Sequence, residues 1–413
     1  MPTILLLATC DTKLPEALYV HSRLHNHNVS VLLLDLSRSP VSHPLITLAA
    51  AAPRDSLAHL TRADYITETI SRATPLVRSL HQTNRIHAVL GLGGSCGSAL
   101  ATGVMRAALP VGFPKVMVST MASGDVRPYV GEADIAMLYS VVDIAGRNAV
   151  LDRVLGNAAG MAAGAAGCYA AAAEEEGQGG NLKEKGRRTR VGVSMFGLTT
   201  PCVTTLSDYL TNTHDYEVYV FHATGAGGRA MERLVADGQL DAVVDMTTTE
   251  VADEVAGGVL SAGPQRLEAA ARAGIPCLVS VGACDMANFG PFDEVPAMFK
   301  GRLLHPHNPS VTLMRTSVDE CSRIARFIAS KLRASARPDL VRVVLPTGGV
   351  SAIDLPGLPF HAPDADSVLF STLENELEGS GIPVLRDHRH INDPEFAVSA
   401  AKSIVELIQR HST

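Results

Sequence analysis

The chain has no tryptophan, and aromatic residues make up only 4% of its 413 positions. A platform that stacks nucleic-acid bases needs exposed aromatic rings, so none is expected. There is no basic stripe either: the formal net charge is −7, and the one dense run of cations is KEKGRRTR at 183–190. Direct binding of nucleic acid is therefore not expected. The seven cysteines, at 10, 96, 168, 202, 277, 284 and 321, are odd in number and scattered, with no CxxC pair. They read as reduced thiols of a cytosolic, cytoplasmic protein. No apolar stretch approaches the length of a membrane span free of charge or glycine, so no membrane association is expected. The opening MPTILLLATCDTK lacks a basic lead and reads as a first strand, not a signal peptide. Covalent acyl chemistry is not expected, no Gly-x-Ser-x-Gly elbow being read and no cysteine lying in a known nucleophile motif.

Glycine and proline are plentiful, with 35 and 23 residues, and they punctuate short apolar runs. At 413 residues the chain exceeds one core, so two domains are expected. The central pattern is strand, glycine turn, helix. Ile86 to Leu90 is apolar, Gly91, Gly93, Gly94 and Gly97 break the run, and an amphipathic helix follows from about Ser98 to Leu109. Such a turn leaves backbone N–H groups uncovered at a helix N-terminus, the usual seat of a phosphate or other anion. GLGGSCGS (91–98) lacks the Gly-Lys-Ser/Thr ending of a P-loop and is no clean dinucleotide fingerprint. A tight turn that binds nothing is the alternative.

Around this centre the chain alternates strand and helix. Thr3 to Ala8 reads as a buried strand running into Thr9-Cys10-Asp11-Thr12-Lys13, then a helix from about Pro15 to His27. A second strand ends at Asp35, where a nucleotide fold often holds a ribose hydroxyl; a loop carboxylate is the alternative. Tyr65 to Thr83 reads as a helix, Lys115 to Ser119 as a strand ending in a polar loop with Thr120, Gly124 and Asp125, and Asn148 to Ala173 as a small-residue helix. Glu174 to Arg190 is charged and glycine-rich, and reads as solvated linker. The expected domains are 1–180 and 191–413, joined by a linker over 181–190. The second half repeats the plan, so the expected fold is α/β: two Rossmann-like, doubly wound parallel-sheet domains with a cleft between their strand ends.

In the second half, His222, Thr224, Gly227 and Gly228 repeat the anion-binding pattern of a glycine turn that opens a helix. Thr248 and Thr249 precede Glu250 and read either as ligand-facing hydroxyls or as a helix cap. His305 and His307 flank Pro306, which places them on a loop; Asn308 follows, and Asp285 could face them. Two such imidazoles can share a metal or divide acid–base work, but no third local ligand is present, so no metal site is assigned. Gly348 and Gly349 mark another strand end, with Asp354 shortly after.

These residues carry a resemblance. GLGGSCGS (91–98), 116–146, FHATGAGGRAMERL (221–234), 245–276, DMANFGP (285–291), HPHNPSVTLMRTS (305–317) and HINDP (390–394) resemble the ATP-binding family typified by the N-terminal region of the tomato mosaic virus resistance protein. That family was long catalogued as uncharacterised, and the resemblance covers nearly the whole chain. It implies an ATP site in the first of two Rossmann-like domains and a homodimer. In the plant member it also implies a protein partner, the viral replication protein. Carried over, the nucleotide would lie against Gly93, Gly94, Ser95 and Gly97, with Thr12, Lys13, Thr120 and Gly124 nearby; beside such a nucleotide, Asp11 or Asp125 could hold Mg²⁺. The first loop departs from many relatives in lacking a glycine after Lys13. Relatives in plants and fungi carry a further barrel domain, whose activity is not carried over. The expectation is an ATP-binding protein with a second, unidentified small molecule, His305, His307, Asn308 and Asp285 serving phosphoryl-transfer-type chemistry. The alternatives are a non-catalytic, nucleotide-regulated interaction protein and a metal-dependent lyase or hydrolase centred on the two histidines.

Overall fold

An unbroken apolar strand is stable when helices cover both faces of its sheet, since its alternating side chains then feed two cores. The computed structural model describes residues 1–50, 57, 59–178 and 187–412. The chain divides into two compact units, Met1–Gly186 and Arg187–Thr413.

Unit 1 begins with β1 (Thr3–Ala8), α1 (Cys10–His25), β2 (Ser30–Asp35), β3 (Ile46–Ala49) and α2 (Arg62–Gln82). It continues with β4 (Ala88–Gly93), α3 (Ser95–Ala108), β5 (Lys115–Ser119), α4 (Arg127–Val130), β6 (Ile135–Tyr139) and α5 (Ala149–Gln178). The strands form one parallel sheet in the order β3-β2-β1-β4-β5-β6. Ile4 and Leu6 of β1 join a core with Ala17, Val20 and Leu24 of α1 and Leu155 of α5. Leu5 and Leu7 face the other way, against Val77 of α2 and Leu100 and Val104 of α3. The winding direction reverses between β1 and β4, which makes their C-terminal ends the switch point of the sheet.

Unit 2 opens with β7 (Arg190–Met195), α6 (Thr200–His214), β8 (Glu217–His222), α7 (Ala226–Ala236), β9 (Ala242–Thr247), α8 (Thr249–Ala256), α9 (Ala269–Ala273) and β10 (Cys277–Gly282). Then come β11 (Met286–Phe289), β12 (Leu304–Asn308), β13 (Val311–Arg315) and α10 (Val318–Arg333). The unit ends with β14 (Val341–Pro346), α11 (Pro363–Leu377), β15 (Val384–Asp387) and α12 (Pro394–Ser412). Six strands form a parallel sheet, β8-β7-β9-β10-β14-β15, and the inserted β11-β13-β12 form a small antiparallel one. Val279 and Val343 pack against Ile324 and Ile328 of α10 and Leu369 of α11, while Leu278 and Val344 turn to Leu206 of α6 and Ile404 of α12. Each unit is thus a Rossmann-like, doubly wound domain.

Several boundaries differ from the sequence reading for physical reasons. Helix α1 begins at Cys10 and not at Pro15, with a break at Lys13 (φ −128°, ψ 20°) that relieves the clash of Pro15 with the preceding turn. Helix α3 begins at Ser95, so Gly97 lies inside its first turn. Helix α5 runs on to Gln178; its glutamates are good helix formers, and their missing apolar period misled the linker assignment. The linker expected over 181–190 falls partly outside the described residues (181–186), and Arg190 already belongs to β7. Among the described residues, no helix is long and apolar enough to cross a membrane.

Candidate functional site

Strands β1 and β4 are parallel neighbours, and α1 and α3 leave them toward opposite faces of the sheet. The gap between the two departing chains is a cavity of about 280 Å³. From β1 it is lined by Thr9, Asp11, Thr12 and Lys13, and from β4 by Gly94, Ser95, Cys96 and Gly97. The two helix N-termini facing it differ. At α1 the chain satisfies its own donors: Cys10 N–H donates to Asp35 Oδ1 at 3.0 Å and Asp11 N–H to Ser37 Oγ at 2.8 Å. At α3 no side chain caps the helix. Its first turn closes with Ser98 N–H donating to the Gly94 carbonyl at 2.8 Å. The N–H groups of Ser95, Cys96 and Gly97 precede that bond and point out of the helix end.

Asp35 is therefore no ribose ligand. It is 2% exposed, and its carboxylate also accepts from Ser37 N–H at 2.9 Å and Val41 N–H at 3.1 Å. It shapes two loops and leaves no oxygen to the crevice.

Three cations converge on the open helix end: Lys13, Arg38 and Arg62. Arg62 Nη2 donates to Ser95 Oγ at 2.8 Å. Arg38 lies over the Tyr65 ring, 4.9 Å from its centre, and donates to the Leu60 carbonyl, while its buried Nε has no acceptor. Among the described residues none of the three has a carboxylate partner. Asp11 is the one acidic side chain lining the crevice among those residues. Arg38 and Arg62 escaped the sequence reading because they come from the loop after β2 and the start of α2, with no local pattern to mark them.

The glycines of this turn serve two purposes. A Cβ on Gly93 would sit 2.7 Å from Gly97 Cα, so Gly93 is demanded by the strand–helix approach. A Cβ on Gly94 would meet nothing nearer than Thr120 Oγ1 at 3.7 Å, and one on Gly97 nothing nearer than the Leu92 carbonyl at 3.5 Å. The fold does not require those two, and both line the crevice. Gly93→Ala is accordingly expected to lose about 1–3 kcal/mol through overpacking, whereas Gly97→Ala stays close to wild type; thermal denaturation reads both.

Thr120 lies beside Gly94 and donates its N–H to the Gly93 carbonyl at 3.3 Å. Gly124 and Asp125 do not line the cavity. Asp125 is hydrogen-bonded to Arg127 at 2.9 Å, which holds its carboxyl below the usual range, so Asp11 is the better placed of the two acids expected to hold Mg²⁺. Residues 93–97 (GGSCG) do spell the Gly-x-Ser-x-Gly spacing, which corrects the sequence reading that no such spacing is present. The structure removes the nucleophile: Ser95 is not in the positive-φ conformation, and its hydroxyl is paired with Arg62, not with a base.

In unit 2 the glycine turn at 222–228 looks alike in sequence and is used differently. Glu250 Oε1 accepts from Gly225 N–H at 2.7 Å and Gly228 N–H at 3.0 Å, so the chain supplies its own anion. A Cβ on Gly227 would fall on the His222 carbonyl, and one on Gly228 on the Glu250 carboxylate. His222 stacks on Phe196 at 5.6 Å, and Thr224 Oγ1 donates to the His222 carbonyl at 3.3 Å. Thr248 and Thr249 are fully buried, their hydroxyls donating to the carbonyls of Ser280 at 2.9 Å and Met286 at 3.4 Å. Behind the turn, Arg266 binds Glu250 at 2.8 Å, Glu232 at 3.0 Å and Asp245 through both terminal nitrogens.

His305 and His307 lie on a strand, not a loop: β12 is the edge of the small sheet, where Pro306 removes no needed ladder donor. His305 meets Phe360 edge-on at 6.1 Å, His307 is exposed, and Asn308 Oδ1 accepts from Ser310 N–H at 2.8 Å to shape the β12–β13 turn. Asp285 is fully buried, accepting the Ser351 hydroxyl at 2.7 Å. Among the described residues, no group of three or more histidine, cysteine or acidic side chains is arranged to hold a metal. His307→Ala is expected to leave both the melting temperature and nucleotide binding unchanged, as read by thermal denaturation with and without ATP. Gly348 and Gly349 line a second cavity, of about 330 Å³, together with Asp354 and Asp366. Gly349 has φ +135°, which a side chain would strain.

Comparison with known proteins agrees with this two-unit division. Residues 2–171 match the N-terminal domain, and residues 188–408 the C-terminal domain, of the Uncharacterised protein family (UPF0261). The chain belongs to this family. A UPF0261 protein of Clostridium tetani is 40% identical over 415 residues, covering 98% of this chain and 99% of its own. One from Rhizobium meliloti is 42% identical, with the same coverage of 98% and 99%. The ToMV resistance protein Tm-1(GCR237) of Solanum lycopersicum is 45% identical over 322 residues, which cover 77% of this chain and 41% of that protein.

Proposed function

We propose that the unit 1 crevice binds a nucleoside triphosphate, ATP, through its phosphates. The observation that carries this reading is three cations that line one cavity with the uncapped N-terminus of α3 and have no carboxylate partner among the described residues. Positive charge collected at open backbone donors is costly unless an anion satisfies it, and the helix dipole adds to the attraction. Gly94 and Gly97 leave the approach to those donors free of side chains. The phosphates would be held by the N–H groups of residues 95–97, with Lys13 and Arg62 as charge partners and Asp11 as the carboxylate for Mg²⁺. Bound there, ATP would supply either a phosphoryl group or the energy of a nucleotide-dependent conformation.

A ligand that binds only the folded state stabilises it by RT ln(1 + [L]/Kd), about 2.7 kcal/mol at a hundredfold excess over Kd. Mg-ATP and inorganic triphosphate are therefore expected to raise the melting temperature, while adenosine at the same concentration does not. Equal shifts with adenosine and ATP, or no shift with ATP, would contradict the reading. Light scattering on the same samples reads the expected homodimer and its response to ATP.

A further inference from the structure

Unit 2 closes the helix-end donors of α7 with Glu250 yet leaves charge unbalanced elsewhere. In the segments that follow β10 and β14, three carboxylates meet a single guanidinium. Arg315 is fully engaged: Nη2 donates to Asp366 Oδ1 at 2.6 Å, Nε to the Phe360 carbonyl at 2.8 Å, and Nη1 to Thr316 Oγ1 at 3.0 Å. Asp354 Oδ1 lies 3.9 Å from Arg315 Nη2, beyond hydrogen-bond reach, and Asp354 Oδ2 accepts from Val350 N–H at 2.9 Å. Asp285 meets Arg315 through its backbone carbonyl at 3.4 Å. Asp354 Oδ1 and Asp285 Oδ1 are both buried with no N–H or hydroxyl donor, in residues 1% and 0% exposed. Besides Val350 N–H, the Asp354 carboxyl has only the carboxyl of Asp366 to bond to, and one of the two must carry a proton for that bond to form. The Arg266 cluster of the same unit shows the contrast, for it leaves no carboxylate oxygen of Asp245, Glu250 or Glu232 stranded.

Asp354 and Asp366 line the 330 Å³ cavity, whose walls also carry His361 and Arg386. We propose that this cavity is a ligand site for a small molecule bearing a protonated amine, anchored by Asp354 and Asp366. An ammonium brings three donors and the positive charge the cluster lacks. A hydroxyl could satisfy one oxygen but would leave the excess charge in place. A metal ion is not favoured, since among the described residues no group is arranged to ligate one.

Without the amine, burial favours the protonated form of the pair. Burial first, then the neighbouring carboxylates, push Asp354 up to about 6 and Asp366 up to about 7, with Arg315 opposing both. The groups facing the pair are Arg315 from β13, Asp285 and Ser351 from the two strand-end loops, Cys321 from α10, His361 ahead of α11 and Arg386 from β15, itself paired with Glu374. An amine must displace the shared proton, so binding strengthens as pH rises through that range.

Saturation-transfer NMR on the full chain, with ethanolamine and ethylene glycol as the probes, tests this. Ethanolamine is expected to receive saturation at pH 8 and several-fold less at pH 5.5, with ethylene glycol weak at both. Asp354→Asn should abolish the ethanolamine signal without lowering the melting temperature at pH 8. Asparagine keeps an acceptor for Val350 N–H and offers Asp366 a donor. The same variant keeps its ATP-induced thermal shift, which separates this site from the one in unit 1. The proposal is overturned by no ethanolamine signal at pH 8, by an equal signal from ethylene glycol or from Asp354→Asn, or by a lower melting temperature in that variant.

Discussion

Arg266→Met is expected to destabilise the chain by about 3–5 kcal/mol, because it takes from the buried carboxylates of Asp245 and Glu250 the guanidinium that binds them. Arg266 is 1% exposed, Asp245 2% and Glu250 1%. Burial works against the guanidinium charge; Asp245, Glu250 and Glu232 overcome it and hold the group well above its ordinary pKa. Glu250 also caps α7 through Gly225 and Gly228, so losing Arg266 loosens that helix as well. Lysine is no substitute, since a single ammonium cannot reproduce the planar fork that bridges three acids. Urea unfolding at pH 7.5 reads the loss. The deficit should narrow toward pH 5, because carboxylates stranded in the folded variant have raised pKa values and regain their neutral form as pH falls. A loss under about 1 kcal/mol would show that the network contributes far less than a buried ion cluster should.

The second large effect concerns binding. Gly94→Val is expected to weaken ATP by about a hundredfold or more, roughly 2.7 kcal/mol, with little change in apo stability. A Cβ at this position meets nothing nearer than Thr120 Oγ1 at 3.7 Å, and the two methyl groups beyond it would occupy the approach to the α3 donors. Lys13→Ala and Arg62→Ala should each cost about tenfold, near 1.4 kcal/mol, and make affinity less dependent on salt, since each removes one charge-assisted contact to phosphate.

The two glycine turns mark how far the sequence could be read. GLGGSCG and HATGAGG both follow a strand and open a helix, so the local signal is the same. Their uses part because of residues remote in sequence. Glu250 folds back onto the second turn, while Arg38 and Arg62 converge on the first. The buried strands were legible because apolar runs such as TILLLA can be stable only between two helical layers. Strand β12 was not, since Pro306 hides an edge strand, and the start of α1 was displaced by the break at Lys13. The Asp354–Asp366–Arg315 cluster joins a loop, a helix and a hairpin, and only the fold brings them together. Asp35 had two readings in the sequence, and its loop contacts decide between them.

The account rests on the open donors of α3 receiving a triphosphate. Isothermal titration of Mg-ATP into the full chain and into its Gly94→Val variant is the direct measurement. Saturable heat in the wild type that weakens at high salt, with none in the variant, is the expected result. No heat in the wild type, or the same isotherm in both proteins, would contradict it.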